Sequence, residues 1–526
     1  MAMAMAMAMA MARTVVRKSR AKERRIGLIA MRYGLHSRIV RGLAAALLAV
    51  AAFGVAAGEW QVVPRFAINQ SYSDNINLVP NNKDNDFITR LTPGLSVRGN
   101  GRRLQMNVDY NLQAQNFINE DQYDDVYHQL QSAMNVEVVR DVFFVDANAQ
   151  VFRALVSNTG QITNRELRSD NNRTDVVTYS VSPTFNHHFG NWADFRGSTG
   201  FSGTVGDGQG GGNSAGSGNG TDLNSTLSSG RRFTRTSWSI SNTSSVFNND
   251  SGARSSSRSR WNGTGSVSVN RFFRFQGSLG YENNSSGGGD TDKSSITWDV
   301  GGTLTLSPRT SVSGSYGHRA FGSTKNFDFN YRRRRFSISG SYTESIRTTS
   351  EELRNQSLIS LEDAFGQPVF DPFAASNIDL PVDSLGLADD AFVSRNFVAT
   401  VGYYKRRDTF SASVYRNERD AGSNGSDPEE AIGTSASWSH TFSRRLSGGL
   451  SGTYRSGSAN RIQGGTPTVG AGNGDVDIVI ISPNLSYTIG PHTRGSLSYS
   501  YTISSSDNLS NDYSENSISS SLSFAF

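Results

Sequence analysis

From Leu104 to Ala114 the chain alternates without a break. Leu104, Met106, Val108, Tyr110, Leu112 and Ala114 fall on one side, and Gln105, Asn107, Asp109, Asn111 and Gln113 on the other. A strand's side chains switch face at every residue, so this segment reads as a strand with one apolar and one polar face. The alternation returns in Val177, Tyr179, Val181 and Phe185, in Phe273, Phe275, Leu279 and Tyr281, and in Leu497, Tyr499, Tyr501 and Ile503. It runs to the end of the chain through Ile518, Leu522, Phe524 and Phe526. Repeated strands of this length, apolar outward and polar inward, are the signature of a barrel whose outside meets lipid. Around Leu223 to Ser229 and Thr234 to Phe247 Ser and Thr dominate, and register there is weakly specified.

Two kinds of connection take turns between the strands. Short ones include Gly99-Asn100-Gly101, Arg140-Asp141, Gly190-Asn191, Asn270-Arg271, Pro308-Arg309 and Ser443-Arg444; long ones include Asn116 to Asp125, Ser157 to Arg173, Gly206 to Thr221 and Gly457 to Gly472. Short periplasmic turns alternating with longer external loops belong to outer-membrane barrels, whereas a soluble sandwich has no reason to sort its loops by side. The expected fold is all-β: a transmembrane antiparallel up-and-down β-barrel of about 22 strands, an even number give or take two, in the Gram-negative outer membrane. Residues 58–526 form the barrel, and 348–390 is its largest external loop. Aromatics gather at strand ends as an interfacial girdle requires, with Phe143, Phe189, Phe233, Phe272, Phe336, Phe410 and Phe442 beside short turns.

Composition changes this picture little. A mean hydropathy of -0.44 fits a barrel, because only half of each strand meets lipid and loops dilute the average. The chain has 526 residues and no cysteine, which excludes disulfides and thiolate metal sites. Its net charge of +5 is concentrated before Gly42, so it implies no nucleic-acid partner. Residues 1–57 read as a leader in which Met31 is the better start. Arg32, Arg38 and Arg41 form the basic region, Leu43 to Val55 the apolar region, and Val55-Ala56-Ala57 places cleavage after Ala57. Almost nothing separates Gly58 from the first strand, so no N-terminal plug domain is expected.

The first strands carry a more particular series. Trp60-Gln61-Val62-Val63-Pro64 is followed by Tyr72-Ser73-Asp74-Asn75-Ile76-Asn77-Leu78, by Leu91-Thr92-Pro93-Gly94-Leu95, and by the strand ending in Asp109-Tyr110. This series resembles the outer-membrane barrel family associated with the PEP-CTERM/exosortase sorting system, whose members usually show Tyr-Thr-Asp-Asn where this chain has Tyr72-Ser73-Asp74-Asn75. The resemblance is sharpest over about residues 59 to 200. It implies a link to exopolysaccharide export or exosortase-linked surface sorting, with exopolysaccharide or its export components as partners beside outer-membrane lipid. Phe526, after Leu522 and Phe524, resembles the C-terminal signal read by the barrel-assembly machinery.

Polar positions of the early strands give the lumen-lining candidates: Asn107, Asp109, Asn111, Gln113, Gln129, Gln131, Asn135, Glu137, Asp146, Asn148 and Gln150. Amides exchange hydrogen bonds without a fixed strong charge, as a sliding sugar chain needs, and any water-filled lumen would show the same polarity. About 22 tilted strands enclose a cylinder roughly 40 Å across, too wide for side chains to fill. Residues 348–390, with Phe365, Val369, Phe370, Phe373, Leu380, Pro381 and Leu385, either constrict that pore or cap its outer mouth. No cofactor and no enzymatic activity are expected. His128, His318 and His440 fall on apolar registers, and His187 and His188 point to opposite faces. None joins Ser or Asp in a recognisable catalytic motif. The expected function is a conduit or accessory pore, with a structural scaffold or a general porin for small solutes as the alternatives.

Overall fold

The computed structural model describes residues 58–161, 172–206, 217–249, 255–285, 293–355, 392–420, 428–458, 475–507 and 512–526. The leader, its cleavage site at Ala57 and the apolar residues of 356–391 lie outside the described residues.

Twenty-two strands follow one another. The first six are β1 (Gly58–Ser73), β2 (Asp86–Gly101), β3 (Leu104–Phe117), β4 (Asp125–Val139), β5 (Phe143–Leu155) and β6 (Arg173–Phe189). Next come β7 (Ala193–Gly206), β8 (Gly218–Ser229), β9 (Thr236–Asn249), β10 (Ser256–Ser268), β11 (Phe273–Ser285) and β12 (Lys293–Ser307). Then follow β13 (Thr310–Arg319), β14 (Gly322–Arg333), β15 (Phe336–Arg347), β16 (Phe392–Lys405) and β17 (Asp408–Asp420). The last are β18 (Glu429–Thr441), β19 (Leu446–Ser458), β20 (Val476–Gly490), β21 (Thr493–Ser506) and β22 (Tyr513–Ala525). Each pairs antiparallel with its sequence neighbours, and β1 pairs with β22 to close the ring.

The predicted strand number and alternation of connections hold, with local shifts. Asn100 and Gly101 stay within β2, so the turn falls on Arg102-Arg103. Arg406-Arg407 forms a further short turn, with Arg406 at φ 49°. On the long-loop side, β13 and β14 are joined by Ala320-Phe321 alone. The ladder between β14 and β15 is the shortest in the ring, seven residue pairs from Phe327↔Tyr342 to Arg333↔Phe336. Three outward prolines interrupt pairing on one side, as a residue without an N–H must. The β2–β3 ladder skips Pro93, β6–β7 skips Pro183 and β20–β21 skips Pro483.

The inside of the barrel is fixed by one short helix, α1 (Thr349–Asn355), which follows β15. It touches side chains of β5, β6, β7, β8, β10 and β17, and only the interior brings those strands to one point. The opposite face carries the apolar band: Leu279 is 65% and Ile296 66% exposed. Cross-strand pairing carries this assignment round the ring, since directly paired residues share a face. Near the short turns, Tyr403, Phe410 and Trp438 line up with ring centroids 6.3 Å apart at each step, and Trp192, Phe233 and Trp238 repeat the arrangement edge to face. These are the girdle aromatics of the inner interface.

Leu279→Arg is therefore expected to cost about 2–4 kcal/mol of stability in lipid, because it puts a charge on the outer face near mid-wall. Asn107→Arg, on the inner face, should cost little. Urea unfolding in vesicles checks this, and equal tolerance at both sites would reverse the face assignment.

The Tyr72-Ser73-Asp74-Asn75 series sits at the seam where the ring closes. Ser73 donates to the Glu515 carboxylate at 2.7 Å. Asp74 accepts from both the backbone N–H and the side-chain amide of Asn516, each at 2.7 Å. Asn75, fully buried, donates to the carbonyls of Val79 at 2.8 Å and Ser514 at 3.0 Å.

Candidate functional site

The lumen is crossed near its outer end. Thr348 and Glu351 form a capping box: the Glu351 N–H donates to Thr348 Oγ1 at 3.2 Å, and the Thr348 N–H to Glu351 Oε2 at 3.0 Å. This reciprocal pair satisfies two N–H groups that a short helix leaves open, so the chain turns inward instead of continuing as a loop. Leu353 then packs against Phe152, Ala154 and Val176.

Charges hold α1 in place against β8, β10 and β17. Arg258 of β10 grips Glu351 at 2.6 Å and the Ile346 carbonyl at 2.6 Å. Arg354 reaches Asp222 of β8 at 3.4 Å and the Ser202 hydroxyl of β7. Glu352 pairs with Arg419 of β17, both nearly buried. From β17 to β5 the shorter way round is ten steps: five to β22, one across the seam and four to β5. Nearly opposite walls thus share one helix about 10–12 Å across. The cross-section at this level is pinched far below the roughly 40 Å of a round ring.

A second bridge reinforces the pinch. Asn158, just after β5, donates to the carbonyls of Glu430 at 3.2 Å and Ser458 at 2.9 Å and accepts from Arg455 at 3.0 Å. Leu155 packs on Val476 and Ile478 of β20. Of the two expectations for the 348–390 segment, its first residues support a constriction within the lumen.

The eleven candidate residues share the inner face. Asp109 pairs with Gln131, Asn111 with Gln129 and Gln113 with Tyr127 across β3–β4. Gln131 pairs with Gln150, Asn135 with Asp146 and Glu137 with Phe144 across β4–β5, where Asn148 faces Ala133, the partner of Asn107. Several are tied up by neighbours. Arg65 binds Asp109 at 3.2 Å, Tyr127 donates to Gln113 at 2.6 Å, and the Asp141 N–H donates to Glu137 at 2.7 Å. They form one stretch of wall on which α1 lands two residues beyond Gln150, at Phe152.

Sequence reading missed Arg258, Asp222 and Arg419. Each looks like an ordinary inner-face charge, and only the fold shows that all three converge on α1. The histidines stay apart: His128 bonds Tyr110 at 2.8 Å, His440 bonds Asp408 at 2.7 Å, and His188 bonds Asp194 at 2.6 Å. Among the described residues no three potential metal ligands cluster.

A closed ring of 22 strands with an apolar outside is an outer-membrane barrel. The chain is a protein of the Gram-negative outer membrane. Its fold is similar to that of the siderophore receptor PirA from Pseudomonas aeruginosa, at 11% identity over 88% of this chain and 80% of that chain, with a TM-score of 0.43. It is also similar to a mutant of the ferric enterobactin receptor PfeA from the same organism (10% identity, 89% and 80% coverage, TM-score 0.47). A third similar structure is the ferric-catecholate import receptor Fiu from E. coli K12 (9% identity, 89% and 81%, TM-score 0.46). No protein-family profile and no curated protein matches the sequence.

The expectation of a polymer conduit or sorting barrel is corrected, and the likeness to these structures is one of fold alone. They are siderophore receptors, not proteins of exopolysaccharide export or exosortase-linked sorting. The physical reason lies in the lumen. Among the described residues a helix and an asparagine bridge cross it, joining walls that an unobstructed polymer conduit would keep apart.

Proposed function

We propose that the protein is a gated transporter of the outer membrane, held shut at rest by α1 and opened when α1 leaves its sockets. The observation that carries this reading is the clasp itself. One helix of two turns offers Leu353, Arg354 and Glu351 to the run of wall from β5 to β10, and Glu352 to β17 across the lumen. A segment that merely covered the mouth would have no use for such contacts. The inner face below it is polar and hydrogen-bonded, suited to a small hydrophilic solute.

The chain's lack of cysteine makes a direct test possible. Leu353→Cys with Ala154→Cys places two thiols in one cluster of contacting side chains. Oxidation should tether α1 to β5 and abolish solute entry into proteoliposomes, and dithiothreitol should restore it. Entry that is the same in the oxidised and reduced forms would overturn the gate.

A further inference from the structure

A cavity of about 260 Å³ opens in the wall of β10–β15, mostly on its inner face. Its charged lining groups are Arg260, Arg319, Asp299 and Glu344. Two of these are already satisfied. Arg319 holds the fully buried Glu282 through both carboxylate oxygens, at 2.8 and 2.9 Å, and Asn284 donates to the same carboxylate at 3.0 Å. Glu344 accepts from the Tyr342 hydroxyl and from the Lys325 N–H.

Arg260 and Asp299 are left over. Neither forms an ion pair or a side-chain hydrogen bond with any described residue, although Arg260 lies opposite Glu282 on the neighbouring strand and feels the charge of Asp299 at longer range. The Arg260 Nε is buried without a partner, and so is the Oδ1 of Asn262, whose amide nitrogen is spent on Thr264 at 3.0 Å. A buried donor and acceptor without partners are costly, and that cost is recovered when a ligand supplies the missing groups. One strand position pair above Arg260 on the same face, Arg258 clasps α1, so the cavity lies immediately inside the gate.

The charge balance selects the ligand. A plain anion would meet the Asp299 carboxylate in the same cavity, and a plain cation would meet Arg260 and Arg319. A molecule carrying both signs meets, for each, one partner that no close ion pair or hydrogen bond occupies. We propose that this cavity is a solute-binding site for a small zwitterion bearing a carboxylate and an ammonium group, the chemistry of an amino acid. The carboxylate takes the fork of Arg260, which matches two oxygens at once, and the ammonium faces Asp299. The site's place in transport rests on the gated reading above, but binding can be measured without any flux.

Three probes of similar size separate the charges: L-alanine, propionate and propylamine. Saturation-transfer NMR on the folded barrel in detergent should show L-alanine binding at least about tenfold tighter than either single-charge probe. Arg260→Gln and Asp299→Asn should each weaken it by about tenfold or more, and Arg274→Gln, elsewhere on the inner face, should not. Ser278→Leu fills the cavity while keeping both charges, and should also remove binding; heat-modifiable migration reports folding for every variant. Propionate or propylamine binding as well as L-alanine, binding unaffected by both charge substitutions, or no binding of any probe would overturn the proposal. If L-alanine binds as expected while the tethered barrel still admits solutes, the gate falls and the site stands.

Discussion

Neutralising the clasp by Glu351→Gln, Glu352→Gln and Arg354→Gln is expected to turn a silent barrel into a conducting one. Docked α1 would then leave Arg258 and Asp222 facing neutral amides and Arg419 without its Glu352 partner. Breaking one side of a buried pair costs on the order of 3–5 kcal/mol, and the Arg419–Glu352 pair is the most buried of the three. Moving a two-state gate from about 1:99 to 99:1 takes roughly 5.5 kcal/mol, so the triple change is sufficient and Arg354→Gln alone is not. Planar-bilayer recording checks it. Raising salt to about 1 M should leave the parent shut, because a Debye length of about 3 Å screens exposed charges far more than these enclosed ones. A folded triple variant that stays silent would show that α1 does not hold the pore.

The second large effect concerns closure of the ring. Asp74→Ala with Asn75→Ala is expected to destabilise the barrel by about 3–5 kcal/mol, since two charge-assisted bonds and a buried amide network are lost together. The seam has little to spare: β1 and β22 share nine residue pairs, against sixteen between β1 and β2. No turn tethers β1 to β22, so closure falls to the ladder, the Ser73–Asn75 contacts and a few flanking ones, among them Ser71 to Ser519 at 2.7 Å and Lys83 to Ser514 at 2.7 Å. Loss of heat-modifiable migration at lower temperature, and an earlier urea midpoint in vesicles, would report it. A midpoint matching the parent's would mean that the ladder closes the ring unaided.

Most of the wall was legible because a two-residue period is a local signal. Leu104 to Ala114 shows its two faces in eleven residues, and the fold keeps both. The two-residue link at Ala320-Phe321 has no Asn-Gly or Asp-Gly pair to mark a tight turn, so nothing local announces it. The helix had a local sign too: Thr348 followed three residues later by Glu351, with Leu353 behind it, is a capping box ahead of an apolar anchor. Its sockets had none. Arg258, Asp222 and Arg419 lie on three strands far apart in sequence, and alternation says only that each faces inward. Arg260 and Asp299 were hidden for the same reason, since being unpaired is a property of the assembled neighbourhood.

The short β14–β15 ladder makes the ring mechanically uneven. Seven residue pairs join these staves, whereas thirteen join β16 to β17. A hoop strained from within yields at its thinnest joint, and local opening follows the fewest hydrogen bonds. Strain from a departing helix would therefore collect along one line beside Thr324, Asn326 and Glu344, three residues that line the cavity. The barrel would flex there like a split collar, keeping the rest of its circumference stiff.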